Sequence, residues 1–106
     1  MDIVYTSLIP RQPGHHVHEP TAGAEIVDAL WAHALPGDGL EHVNARPEPD
    51  RVDLLLYLRT PDSPDAPAAL QRAHDLIVRS HRTSPRLNRH YLPPEPLPAP
   101  EDSSAG

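Results

Sequence analysis

Proline constrains this fold more than any other residue, because the chain has 15 prolines in 106 residues. Proline restricts φ and has no backbone N–H group, so it belongs in loops and at the ends of helices and strands. Five of the prolines fall in residues 93–106. The other ten separate proline-free blocks at 1–9, 21–35, 37–46, 50–60, 68–84 and 86–92. These positions predict up to six secondary-structure elements followed by a proline-rich tail.

The residue pattern inside each block predicts its secondary structure. β-branched, aromatic and apolar residues predict a strand over 1–9. Alternating apolar residues predict a hairpin made of strands 40–46 and 51–60. Apolar residues spaced three and four apart predict helices over 22–35 and 66–82. The order of elements is therefore β-α-β-β-α.

This order is that of a ferredoxin-like α+β sandwich, in which two helices pack on one face of an antiparallel sheet. Residues 86–92 are expected to form either a short fourth strand at the sheet edge or an ordered extension. We expect a single α+β domain over residues 1–92. Residues 93–106 are expected to form a flexible, acidic, proline-rich tail.

The chain lacks residues that several protein classes need. It has no cysteine, which excludes disulfides, thiolate zinc sites and cysteine nucleophiles. No apolar run approaches the roughly 20 residues of a membrane span, and the acidic start is unlike a signal peptide. We therefore expect a cytoplasmic protein. No glycine-rich phosphate loop and no Ser-His-Asp arrangement is recognisable, so the sequence favours a non-catalytic protein.

Strand 51–60 distributes its side chains between the two faces of the sheet by alternation. The face expected to point at the helices consists of Val52, Leu54, Leu56 and Leu58. Two helices cover only one side of such a sheet, so the other face is expected to be open. Its predicted binding residues are Ile3, Tyr5, Leu55 and Tyr57. Apolar side chains gathered on an exposed face are typical of an interaction surface, which here predicts a protein partner or a homodimer.

A second candidate surface is a basic strip on the second helix and beyond it. Residues 72–90 contain five arginines and one aspartate, in a chain of net charge −6. The predicted binding residues of this strip are Arg79, Arg82, Arg86 and Arg89. Phosphate or an acidic surface of a partner suits the strip, whereas the negative net charge and the absence of lysine argue against nucleic acid. The alternative is a solvated helix face whose arginines complement the helix dipole.

Three of the eight histidines lie close together, at His15, His16 and His18. In an extended segment, His16 and His18 project to the same side, which suits a divalent transition metal. The alternative is a solvated loop that binds no metal. Apart from this metal site, no cofactor is expected.

These features support two main functional hypotheses. The first is a small non-catalytic accessory or binding module that acts by protein–protein association through the open face, the basic strip and the proline-rich tail. The second is a dimeric α/β-barrel that binds or converts a small molecule, with His42, Asp53, Tyr57 or Tyr5 facing a shared cavity. Such a barrel needs a full fourth strand in each subunit. Metal binding by the histidine cluster is a third, minor hypothesis.

Overall fold

The computed structural model describes residues 1–12 and 22–97. In chain order, its elements are strand β1 (Asp2–Leu8), helix α1 (Ala22–His33), a 3₁₀ turn (Pro36–Asp38), strands β2 (Leu40–Pro47) and β3 (Val52–Leu58), and helices α2 (Ala69–Thr83) and α3 (Pro85–His90). Within this part of the chain, three antiparallel strands form one open sheet beside three α-helices. The predicted α+β class is therefore confirmed.

Strand β3 is the centre of the sheet. The strand order is β1-β3-β2, and both neighbours run antiparallel to β3. The alternation predicted for β3 is confirmed, because one face is fully buried: Val52, Leu54, Leu56 and Leu58. Leu56 lies opposite Val4 of β1 and Val43 of β2, which are buried too. The apolar core is therefore built on this face of the sheet.

Helices α1 and α2 cover the buried face. α1 packs against β2, and α2 packs against β1 and β3. The apolar side chains that the two helices bury include Ile26, Leu30, Ala73, Leu76 and Ile77. Gly23 allows α1 to lie close to the sheet, since a Cβ atom there would be 3.2 Å from the carbonyl oxygen of Ala45. The other face of the sheet has no helix over it among the described residues.

Proline fixes the C-terminal ends of both long helices. Helix α2 begins three residues later than predicted, because Ala68 still has extended backbone angles (φ −61°, ψ 155°), and it ends at Thr83, since Ser84 before Pro85 is extended as well. Helix α1 ends at His33, since Leu35 is extended (φ −110°, ψ 155°) as the residue before Pro36 must be. No helix in residues 22–97 is both long and apolar enough to cross a bilayer.

Residues 86–92 differ from the strand that the sequence allows, because most of them form helix α3. Pro85 occupies the first turn of this helix, a position where proline is tolerated. The Ser84 hydroxyl accepts a hydrogen bond from the Leu87 backbone N–H at 3.3 Å. A serine cap and a proline in the first turn both favour the start of a helix, so the residues that end α2 also begin α3.

The chain returns to the sheet edge immediately after α3. Tyr91 forms an isolated antiparallel bridge with Pro10. Beside it, the Leu92 N–H donates to the carbonyl oxygen of Ile9 at 2.8 Å. Within the described residues, pairing of a fourth segment with the chain after β1 is limited to this short contact. The domain boundary expected after residue 92 stays a prediction.

Candidate functional site

The open face of the sheet carries a compact group of apolar and aromatic side chains. The strand register aligns the face in three rows across β1, β3 and β2: Ile3–Tyr57–His42, Tyr5–Leu55–Asn44 and Ser7–Asp53–Arg46. Ile3 and Tyr5 are 59% and 60% exposed, and Leu55 and Tyr57 are half-buried. The four predicted residues therefore lie together in two adjacent rows.

A β-bulge places a histidine at one end of this face. In a regular strand, Leu40 and His42 would lie on the same face of the sheet. The register of β2 shifts between them, so that His42 lies on the open face beside Tyr57. The His42 ring lies against Tyr57, with 5.4 Å between ring centroids and 52° between planes. Its Nε2–H group donates to Asn44 Oδ1 at 3.1 Å. The imidazole is thus held as an aromatic neighbour of Tyr57.

A polar cluster centred on Asp53 occupies the other end of the face. Asp53 Oδ1 accepts hydrogen bonds from Ser7 Oγ at 2.9 Å and Arg51 Nε at 2.7 Å. Arg51 Nη1 also donates to Asp50 Oδ1 at 2.8 Å. The hydrogen bond to Asp53 raises the pKa of Arg51 above its usual value. Arg51 therefore stays charged, as arginine side chains do in proteins generally.

Desolvation raises the pKa of Asp53, but hydrogen bonds from Arg51, Ser7 and Tyr5 lower it by more, so that the net pKa lies below the ordinary 3.8. A carboxylate with a lowered pKa is a weak base near neutral pH. Asp53 is thus better suited to fixing the positions of its neighbours than to accepting a proton from a substrate.

The Asp53 cluster predicts a pH-dependent contribution to stability. Because the pKa of Asp53 is lower in the folded protein, its stabilising effect is complete above the unfolded value and is lost as pH falls through the folded value. We expect wild type to melt above Asp53→Asn near neutral pH, and the gap to close below pH 3.8. Thermal melts followed by circular dichroism measure this gap. Asp62→Asn, in an exposed loop, is the control; a gap for Asp53→Asn that persists in acid would contradict the prediction.

The structure separates the predicted basic strip into paired and unpaired arginines. Arg79 Nη1 donates to the His33 carbonyl at 2.8 Å and to Asp38 Oδ2 at 3.0 Å. Arg86 Nη1 donates to Glu25 Oε1 at 2.9 Å. The other two strip residues, Arg82 and Arg89, are exposed. Arg86 is exposed too, although it is paired with Glu25, so three of the four strip residues remain accessible to a partner. The role of the strip in binding stays a prediction.

Arg72 has a structural role that the sequence pattern does not reveal. It is only 6% exposed, and it donates to three backbone carbonyls: Pro67 at 3.1 Å, Asp38 at 2.9 Å and Arg59 at 3.1 Å. It thereby joins the start of α2 to the turn after α1 and to the end of β3. Charge alone places Arg72 in the basic strip, and no local signal distinguishes it from its exposed neighbours.

The predicted metal ligands His15, His16 and His18 lie outside the described residues, and so does the end of the tail from residue 98. Within residues 1–12 and 22–97, no group of three or more His, Asp or Glu side chains lies close enough to hold a metal ion. The histidine site therefore stays a prediction.

No protein-family model, no curated protein sequence and no solved structure matches this chain. Its function has to be inferred from the chemistry of its own residues.

Proposed function

We propose that this protein is a small, non-catalytic accessory module that forms a homodimer through the open face of its sheet. One observation carries the proposal: Ile3, Tyr5, Leu55 and Tyr57 adjoin each other on a face that no described helix covers. Removing such apolar surface from water is the main driving force for protein association. Contiguous exposed apolar side chains rimmed by polar groups are characteristic of interaction sites.

A second copy of the chain suits this face because the charged groups around it are already paired. Arg51 is bonded to both Asp50 and Asp53, and Arg46 Nε lies 3.6 Å from Glu48 Oε2. Two chains that each carry a net charge of −6 repel each other over most of their surfaces. The pairing of these charges reduces the repulsion on the open face. A two-fold axis through the face would bring the Tyr5–Leu55 row of one copy against the same row of the other.

We further propose that the fold is ferredoxin-like. The order β1-β3-β2, with α1 and α2 on one face, supports this relationship. The Pro10–Tyr91 bridge lies at the free side of β1, where a fourth strand would add. The dimeric barrel is the less favoured reading, because it needs that full strand and the chain forms helix α3 in most of the region expected to supply it.

The mass of the protein in solution tests the homodimer. We expect sedimentation equilibrium to give about twice the chain mass of 11.7 kDa. Tyr5→Glu should weaken association by on the order of 100-fold, because it buries unpaired like charges of both copies at the centre of the interface. Tyr5 is exposed, so the variant should keep the far-ultraviolet spectrum of the wild type.

The matched control is Leu35→Glu, which changes an equally exposed apolar residue in the turn after α1. We expect it to dimerise like wild type. A wild-type protein that stays monomeric at high concentration would overturn the homodimer. Equal dimerisation of Tyr5→Glu and Leu35→Glu would show that the copies meet on another surface.

A further inference from the structure

The tertiary structure adds an arginine from the start of the chain to the basic strip. Arg11 lies 77 positions before Asn88, yet its Nε donates to the Asn88 carbonyl at 2.9 Å. The Arg11 backbone N–H also donates to the carbonyl of His90 at 2.9 Å. Arg11 is thereby held at the end of helix α3. We define the α3 patch by four exposed arginines: Arg11, Arg82, Arg86 and Arg89.

The α3 patch concentrates positive charge in an acidic protein. Residues 10–12 and 82–92 contain these four arginines and no acidic residue. The remaining residues contain five arginines and 15 acidic residues. A surface whose potential differs in sign between two regions steers a charged partner toward the region of opposite sign. An anionic partner is therefore expected to meet this chain at α3.

Most arginines of the patch have no carboxylate of the chain beside them. Arg86 pairs with Glu25 at 2.9 Å, and within the described residues no carboxylate oxygen lies within 4.0 Å of a guanidinium nitrogen of the other three. Three arginines outside the patch are each paired with a carboxylate: Arg46, Arg51 and Arg79. The patch thus keeps positive charge that much of the remaining fold neutralises.

The contact between Arg86 and Glu25 shows that the patch accepts a carboxylate, because Arg86 Nη1 donates to Glu25 Oε1. Helix α3 has six residues and therefore spans about 9 Å. An extended peptide advances about 3.3 Å per residue, so three or four of its residues cover this length. A nucleic acid is a longer polyanion, which would extend beyond the patch onto acidic surface. The dimensions and charge therefore suit a short run of carboxylates.

We propose that the α3 patch binds a short acidic segment of a partner protein, whose carboxylates pair with the four arginines. None of these arginines belongs to a strand, so the patch is separate from the open face. Binding at the patch does not require the homodimer. An accessory module built in this way would present one surface to its own copy and another to its partner.

Hexaglutamate with blocked ends is the probe, titrated into the full-length ¹⁵N-labelled chain at about 20 mM salt and followed by amide chemical shifts. We expect saturable shifts at Arg82, Arg86 and Arg89, and no binding of hexaglutamine. Binding should weaken at least about 5-fold at about 150 mM salt, because counterions screen exposed charges. Tighter binding of hexathymidylate or inorganic phosphate would overturn the acidic segment in favour of phosphate groups.

Two double variants with the same net charge test the location. Arg82→Gln with Arg89→Gln should weaken hexaglutamate binding about 5- to 10-fold, since each change removes an exposed ion pair. Arg46→Gln with Arg59→Gln, at exposed positions outside the patch, should bind within about twofold of wild type. Equal losses in both would overturn the patch, because net charge alone would then explain binding.

A third double variant tests the alternative that the chain's own acidic tail occupies the patch. Glu101→Gln with Asp102→Asn should bind hexaglutamate like wild type. Binding that occurs only in this variant and not in wild type would overturn the partner segment and identify the tail as the occupant.

Discussion

Replacing Arg72 with methionine is expected to lower the free energy of unfolding by about 3–5 kcal/mol. Arg72 is buried and donates to the carbonyl groups of Pro67, Asp38 and Arg59. Methionine keeps most of the side-chain volume and suits a helix, but it donates no hydrogen bond. Three carbonyls would lose a charged partner in a place that water reaches poorly. Urea denaturation followed by circular dichroism measures the loss.

Arg82→Met is the matched control, since Arg82 lies on the same helix and is exposed. Its effect should be within about 0.5 kcal/mol, as for most surface substitutions. Domains of this size are stabilised by about 5–15 kcal/mol, so the two variants should be well separated. A loss below about 1 kcal/mol for Arg72→Met would show that the three carbonyls find other partners.

Gly39→Ala is expected to lower the free energy of unfolding by about 2–3 kcal/mol. Gly39 has left-handed backbone angles (φ 70°, ψ 23°), which any residue with a Cβ atom adopts at a cost of about 1–2 kcal/mol. The added Cβ would also lie 2.9 Å from Nη1 of Arg72. The guanidinium group would have to move, which would weaken its bonds to Asp38 and Arg59. Urea denaturation gives the magnitude.

Gly37→Ala is the control, because nothing lies within 4 Å of a Cβ at that position and its φ is not left-handed. We expect an effect within about 0.5 kcal/mol. The double variant of Gly39→Ala and Arg72→Met should lose less than the sum of its parts, by at least about 0.5 kcal/mol, since both act on one guanidinium group. Strict additivity would contradict the proposed coupling.

Alternation and proline positions were sufficient to predict most elements of this fold. The buried face of β3 follows from alternating apolar residues, because adjacent strand residues always point to opposite sides. Helix α3 was missed although its signals are local. The proline pattern marks Pro85 only as the boundary between two elements, but Ser84 and Pro85 together are also a suitable start for a helix.

The sequence predicts which residues lie on the open face, but it does not predict which of them are neighbours across the strands. Period-two patterning assigns Tyr5, Leu55 and Tyr57 to one side of the sheet. Pairing between strands depends on register, and a shift of one residue moves a strand's side chains to the other face. The bulge before His42 is such a shift. Only the folded sheet therefore brings His42 onto Tyr57.

The proline-rich sequence by itself determined where most elements end and which side of β3 is buried. Proline geometry and strand alternation are local properties, so they can be recognised without knowing the rest of the fold. The partners of Arg72 and the position of residues 92–97 depend on the tertiary structure. The partners of Arg72 include residues as distant as Asp38, and Glu95 meets His74 across 21 positions. Contacts between such distant segments exist only after the chain has packed, so no local pattern records them.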